Sequence, residues 1–295
     1  MIPSAAPSCI RPVNRSGWTC PDAPGTQAET LLEAGDVLFL PDFGFIVEPD
    51  ELPIFSPAVT ARAKNVSFDP ATDRVGGAAL APETSRALAG LMKRFSRHAT
   101  TLAGDALPRY RSHLQIGRTS FRPVEISGRH TSWRKDDTRL HVDSFPATPV
   151  HGRRILRVFT NINPTGRPRL WRVGDDFAAV ARRFAPALRP PLPGSATLLR
   201  WLHVTKTRRS PYDGLMLQLH DRMKADSDFQ RQAPQRSVEF PAGSTWMAFT
   251  DQVSHAAMAG QYQLEQTFLV PIEAMQDERR SPLRILEALL GRVLV

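Results

Sequence analysis

Ile155-Leu-Arg-Val-Phe-Thr-Asn-Ile-Asn163 reads as the clearest strand in the middle of the chain, and the fold follows from its neighbours. A period of two puts Leu156, Val158, Thr160 and Ile162 on one face and Ile155, Arg157, Phe159 and Asn161 on the other. The first face is core-like. The second carries a single charge among apolar and amide groups, which suits a site lining. Upstream, Val37-Leu-Phe-Leu40 lies between Gly35-Asp36 and Pro41-Asp42 and reads as a short strand bounded by turn residues. Residues 110–126 alternate loosely and predict β structure. Downstream, the turn Pro241-Ala-Gly-Ser244 leads into a strand over 245–250, and 261–271 contains another ending in Thr267-Phe-Leu-Val270.

Helical spacing interrupts these strands. Leu88, Leu91, Met92 and Phe95 recur at i, i+3, i+4 and i+7 within residues 83–98. Phe177, Val180, Ala181 and Phe184 repeat the pattern after Asp175-Asp176, a helix-start signal. Residues 186–194, with four prolines, form a break, and a further helix spans 211–225 with Met216, Leu219 and Met223 on one face. Strands before, through and after the middle, with helices inserted, predict a mainly β chain with added helices (α+β) on a double-stranded β-helix (jelly-roll, cupin-like) core. The expected organisation is an irregular Pro/Ser/Gly/Thr-rich arm over 1–30, a jelly-roll domain with helical insertions over 31–280, and a C-terminal amphipathic helix over 281–295.

At 295 residues the chain can bury a sizeable core, near the upper end for one β-rich domain. Its 41% hydrophobic and 23% charged content is ordinary for a soluble globular protein. The first ten residues have neither a basic n-region nor a long apolar h-region, so no secretory signal is expected. No apolar run approaches the roughly 20 residues that span a bilayer. Cys9 and Cys20 can form at most one disulfide, lack metal-like spacing, and leave a reducing cytosol as the default. Charge is more informative once located. Residues 109–172 hold thirteen Arg and one Lys against four acids, enough to carry the whole net charge of +9. Because Arg suits bidentate recognition of carboxylate and phosphate, anionic partners are expected for this stretch.

Inside it lies Arg139-Leu-His-Val-Asp-Ser-Phe-Pro146. A His-x-Asp pair supplies two protein ligands of a 2-His-1-carboxylate facial triad, which holds ferrous iron and leaves positions open for co-substrate and oxygen. In a jelly-roll the third ligand should come from a strand or turn well downstream. His255 is best placed, directly after the 245–250 strand and flanked by small residues in Ser254-His-Ala-Ala257. His220, in Leu219-His-Asp221, reads as a surface or packing residue of a helix. His203 and His151 lie in basic loops where a substrate could reach them, and His98, His113 and His130 show no partner pattern.

A 2-oxoglutarate-dependent oxygenase also needs a cation for the distal carboxylate of its co-substrate. In many such enzymes it lies about a strand beyond the distal His, but no Arg or Lys occurs here between His255 and Pro271. Either the anchor comes from elsewhere or the co-substrate reading fails. Arg157 points from the site-like face of the central strand, and in Arg169-Leu-Trp-Arg172 the side chains of Arg169 and Trp171 share a face. A cation beside an aromatic wall makes an anion slot.

Together these stretches, with residues 152–164, 169–174, 212–224 and 249–267, resemble the 3-deoxy-D-manno-oct-2-ulosonic acid (Kdo) hydroxylases of Gram-negative bacteria. The likeness runs from about residue 30 to the C-terminus. It implies an iron(II)- and 2-oxoglutarate-dependent dioxygenase with a jelly-roll core that uses O2 to hydroxylate C3 of Kdo in the Kdo-lipid A inner core of lipopolysaccharide, giving Ko and succinate. It further implies His141, Asp143 and His255 as iron ligands, and Arg122, Arg157, Arg169 and Trp171 as the 2-oxoglutarate pocket. Arg122 comes from the resemblance alone. Kdo is a sugar acid and lipid A carries phosphates, so Arg134, Lys135, Arg139, Arg153 and Arg154 become candidates for substrate binding.

A lipid-anchored substrate implies a cytoplasmic enzyme that can approach the inner-membrane surface. In the C-terminal stretch, Leu283, Leu286, Leu290 and Val293 recur at helical spacing beside Arg284 and Arg292. Two readings follow: an interfacial helix on an anionic leaflet, or a helix packed on the barrel or in a dimer interface. Two rival functions also fit: an iron/2-oxoglutarate oxygenase acting on nucleic acid, ranked second because few aromatic platforms are evident, and a non-redox binder of anionic sugars.

Overall fold

The computed structural model describes residues 10–14, 18, 20–22, 26–55, 59, 65–77, 80–129 and 131–295. His130 and Cys9 lie outside the described residues; Cys20 is buried. The strands are β1 (Ile10–Pro12), β2 (Val37–Leu40), β3 (Val66–Asp69), β4 (Arg74–Gly76), β5 (Gln115–Arg122), β6 (Arg154–Asn161), β7 (Arg169–Gly174), β8 (Gln235–Phe240), β9 (Thr245–Phe249), β10 (His255–Ala259) and β11 (Gln263–Val270). Eight form one sheet in the order β1-β2-β9-β6-β11-β5-β3-β4, and three form a second in the order β10-β7-β8. β6 sits between β9 and β11, both antiparallel to it, and all eight of its residues are buried. A strand covered on both faces needs packing on both sides, and the two faces meet different partners.

Leu156 and Val158 enter a core beneath the helix α2 (Pro82–Ala106), meeting a cluster that includes Leu88, Leu91, Met92 and Phe95. That helix runs eight residues past the predicted end at His98, because Ala99, Leu102, Ala103 and Ala106 continue the buried stripe. It stops where Leu107 precedes Pro108, a position that disfavours helical backbone. The opposite face of β6 looks toward the small sheet. There Phe159, Trp171, Phe240 and Trp246 stack between the sheets, with Phe159 and Trp171 edge to face at 5.0 Å. These two sheets with an aromatic interior are the jelly-roll.

The remaining helices pack at one end: α3 (Phe177–Phe184), α4 (Ser195–Trp201), α5 (Pro211–Ala225), α6 (Ser227–Gln232) and α7 (Pro282–Leu290); α1 (Ala28–Glu33) lies before β2. Asp176 caps α3 by accepting from Ala179 N–H, and Ser210 and Asp213 form a capping box on α5. The short α4 was not expected. Within the arm predicted to be irregular, Ile10–Pro12 pairs parallel to β2, extending the sheet by its free edge. At the other end, Leu283, Leu286 and Leu294 are buried in a core with Phe177, Val180 and Tyr212. The central stripe of the C-terminal helix therefore faces protein, leaving Leu289, Val293 and Val295 outside. No helix among the described residues is long and apolar enough to cross a membrane.

Candidate metal centre

His141 and His255 meet through backbone. Each N–H donates to the other's carbonyl, at 3.0 and 2.9 Å, in an isolated antiparallel bridge. This ties the segment before β6 to the first residue of β10 and brings side chains 114 residues apart into one place. Asp143 N–H donates to Thr250 O at 2.8 Å, fixing the third member. One ligand atom from each of His141, Asp143 and His255 lies within 4.8 Å of the others. The donor set is two imidazoles and one carboxylate, the chemistry of a facial triad for non-haem iron.

Both rings are oriented in the same way. His141 Nδ1 lies 2.7 Å from Arg139 O, and His255 Nδ1 lies 2.8 Å from Val253 O. An Nδ1–H donated to a carbonyl leaves Nε2 as the lone-pair nitrogen. Trp171 stacks on the His255 ring at 5.1 Å. Burial, reinforced by the neighbouring His255, holds the His141 imidazole well below its ordinary value, so it stays neutral and able to ligate. Burial alone would raise the Asp143 carboxyl, but Arg157 and the two imidazoles hold it below the usual carboxylate range. Arg157 Nη2 lies 3.1 Å from Asp143 Oδ2, an electrostatic contact without the linear geometry of a hydrogen bond.

These groups line a cavity of about 270 Å³ together with Arg122, Arg169 and Trp171. All four residues expected for a co-substrate pocket thus share one cavity with the triad. They are not equivalent. Arg122 and Arg157 both pair with Glu265 on β11. Against the cost of burial, these two cations keep Glu265 ionised, below its ordinary value. Arg169 is 2% exposed and donates Nη1–H to Gly260 O at 2.6 Å, while its Nε finds no partner. Burial, with Arg122 nearby, pushes its guanidinium down to about 9, still charged at neutral pH. It forms no ion pair among the described residues, so the cavity holds a cation short of a counter-ion. Gly260 makes this approach feasible: with φ of 105°, a Cβ there would lie 3.0 Å from Arg169 Cδ.

The missing cation after His255 is also explained. The cavity-facing positions of β11 are Gln263 and Glu265, and β5, β6 and β7 bring Arg122, Arg157 and Arg169 to the same space.

Comparison with known proteins decides the family. The model of the 3-deoxy-D-manno-oct-2-ulosonic acid (Kdo) hydroxylase family matches residues 16–293. This chain belongs to the Kdo hydroxylase family. A crystal structure of the Kdo hydroxylase KdoO, a non-haem Fe(II) α-ketoglutarate-dependent dioxygenase in complex with α-ketoglutarate (2-oxoglutarate) and Fe(III), is 48% identical over 90% of this chain and 89% of that one, with a TM-score of 0.86. The succinate and Fe(III) complex of KdoO matches with the same identity, coverage and TM-score. A cobalt(II) complex is 49% identical with the same coverage and TM-score. No curated protein sequence matches the chain.

Within this Kdo hydroxylase fold the five candidate substrate residues separate. Arg134 lines the triad cavity, stacks on Trp133 and pairs with Asp221 at 3.3 Å. Lys135 is exposed beside it. Arg139 instead braces the scaffold, donating to Asp136 and to Lys224 O. Arg153 lies at a separate cavity with His151 and Leu283 and donates to Val150 O. Arg154 contradicts the expectation outright: it is fully buried, paired with Asp251 at 2.8 Å and seated over the Phe249 ring. Its chemistry is that of a core ion pair. Charge clustering cannot make this distinction, because it records neither depth nor partner.

Three lining residues escaped the sequence reading. His220, expected as a surface or packing residue, meets the His141 ring edge to face at 5.3 Å. Lys224, one turn later on α5, is 2% exposed and donates Nζ–H to Arg134 O. Their i, i+4 spacing was the available signal. Glu265 was legible as an acid inside an apolar strand, which burial permits only with a cationic partner.

Proposed function

We propose that this chain is an iron(II)- and 2-oxoglutarate-dependent dioxygenase that hydroxylates C3 of Kdo in Kdo-lipid A to give Ko. The observation that carries this reading is the His141–Asp143–His255 set, two oriented neutral imidazoles and an ionised carboxylate, facing in one cavity a buried Arg169 that forms no ion pair among the described residues. Iron(II), 2-oxoglutarate and O2 supply the oxidation: the oxo acid loses carbon dioxide to become succinate, and the second oxygen atom goes to the sugar.

The protein's own residues hold and exclude. His141 and His255 offer Nε2, and Asp143 offers one carboxylate oxygen while Arg157 secures the other. Arg169 receives the distal carboxylate of 2-oxoglutarate, with Trp171 as the wall beside it and Arg122 flanking. Glu265 keeps Arg122 and Arg157 from competing for the same anion. Phe159 and Trp171 keep water from the base of the cavity.

Beyond Arg122 and Arg157 opens a second cavity of about 490 Å³, lined among others by Arg118, Thr148 and Lys206. Its cations, with Arg134 and Lys135 at the mouth of the first, suit an acidic sugar larger than the triad cavity. A nucleic-acid substrate is disfavoured, because seven Arg of the basic stretch already pair with protein acids: Arg111, Arg122, Arg129, Arg134, Arg139, Arg154 and Arg157. We place the enzyme on the cytoplasmic face of the inner membrane, where a lipid-anchored Kdo is made accessible.

Succinate release tests the reading. It should require iron(II) and oxygen, and rise at least tenfold over the uncoupled background on adding Kdo-lipid A but not methylated oligonucleotides. Release stimulated by oligonucleotides alone would transfer the activity to the rival class.

A further inference from the structure

Apolar surface is unevenly distributed on this molecule. Eleven large hydrophobic residues are exposed among the described residues, and five of them, Leu192, Leu198, Trp201, Leu202 and Val204, fall within thirteen consecutive positions. Leu198, Trp201 and Leu202 stand at i, i+3 and i+4 on α4 and its C-cap, so they share one face. Trp201 is 75% exposed and Leu192 78% exposed. A cluster of this kind rimmed by charge marks an interaction surface.

The charge of the segment itself has one sign. From residue 177 to residue 212 there are six Arg and one Lys and no Asp or Glu. Arg189, Arg200, Lys206 and Arg208 are exposed around the apolar face. Exposed Leu and Trp with surrounding cations suit a layer that is apolar below and anionic above. A protein partner would have to match an apolar patch whose own segment carries cations alone, with Asp221 of α5 the acid near its Leu192 edge. An anionic bilayer matches it without further design.

The segment is also fastened to the rim of the site. Lys206 N–H donates to Ala147 O at 2.9 Å, and Arg209 Nη2 donates to Pro146 O at 2.6 Å. Pro146 lines both the triad cavity and the larger cavity beside it. A surface lying on α4 is therefore linked by two hydrogen bonds to the entrance through which a substrate sugar passes.

We propose that residues 192–208 are the membrane-docking surface, with Leu198, Trp201 and Leu202 entering the interfacial layer and Arg200 and Arg208 meeting anionic headgroups. The C-terminal helix, whose central stripe is buried, is not that surface. The part concerning substrate delivery rests on the hydroxylase reading above; the docking itself does not.

The test is co-sedimentation of the protein with anionic phosphatidylethanolamine vesicles containing about 30% phosphatidylglycerol, against pure phosphatidylcholine. Wild type should pellet with the anionic vesicles at least tenfold more than with neutral ones, and lose most of that in high salt. Trp201→Glu with Leu202→Glu, and separately Arg200→Glu with Arg208→Glu, should reduce pelleting about tenfold, while Leu289→Glu on the C-terminal helix should not. The same variants should lose about tenfold in kcat/KM on vesicle-borne Kdo-lipid A and retain wild-type turnover of a deacylated, water-soluble Kdo saccharide. That retention also shows the variants are folded. If wild type turns over neither substrate but still pellets as described, the hydroxylase reading fails and the docking surface stands. Wild type that stays in solution with anionic vesicles, or that forms a dimer broken by Trp201→Glu, would overturn the proposal.

Discussion

Arg169 is the side chain whose environment asks most plainly for a ligand. A guanidinium buried with one carbonyl acceptor and no carboxylate is costly until an anion arrives. Charge-assisted hydrogen bonds contribute about 1.5–3 kcal/mol, so Arg169→Ala should raise the KM for 2-oxoglutarate roughly tenfold to hundredfold. Arg169→Lys keeps the charge but loses the planar fork and should recover only part. Steady-state kinetics decides this, and an unchanged KM in both variants would remove Arg169 from the pocket. Glu265 gives a pH prediction. Its folded value is lowered by Arg122 and Arg157, so its contribution is fully present above its ordinary 4.5 and is lost as pH falls below that. Glu265→Gln should cost about 3–5 kcal/mol near neutrality by removing the acid that Arg122 and the buried Arg157 share, leaving Arg157 with Asp143 alone, and should flatten the stability profile below pH 4.5. A variant profile parallel to wild type there would contradict the pairing. At this scale the sequence spoke clearly for the triad and for Arg157, Arg169 and Trp171. It misplaced Arg154, read as a substrate candidate, because its partner Asp251 lies on another part of the chain.

Elements were legible where one face is buried and obscure where none is. The central strand, the long helix α2 and α5 carry period-two or 3.6 patterns because core packing selects those periods. α4 carries the spacing only over Leu198, Trp201 and Leu202, too short a run in a seven-residue helix to be read from sequence, and those residues are exposed. β3, β4 and β8 were missed as short or half-polar strands. The C-terminal helix shows the limit from the other side: its stripe was visible, but a stripe does not say whether protein or lipid covers it. Here Leu286 is fully buried and Leu289 is exposed. Leu286→Ala should cost about 2–5 kcal/mol of unfolding free energy, and Leu289→Ala less than about 0.5 kcal/mol. Denaturant titration separates them, and two equally small effects would mean that the helix is not docked.

For the whole molecule, the jelly-roll converts distance along the chain into a site. It sets β10 beside the His-x-Asp segment and turns β5, β6, β7 and β11 toward the same space. The order of strands and the pairing of the two His were beyond sequence pattern, because registers between distant strands leave no local mark. The basic stretch also changed meaning. Read along the chain it is a surface for anions; in three dimensions seven of its Arg pair with protein acids, and of the others Arg169 is the one that lines the triad cavity. The central claim is that one oxygen atom from O2 reaches the sugar under control of His141, Asp143 and His255. Mass spectrometry of Kdo-lipid A after incubation with iron(II), 2-oxoglutarate and ¹⁸O2 tests it directly. The account predicts a product heavier by one labelled oxygen at Kdo, matched by labelled succinate and abolished in His141→Ala and Asp143→Ala. Unlabelled Kdo-lipid A beside wild-type succinate release, or labelled product from either variant, would contradict it.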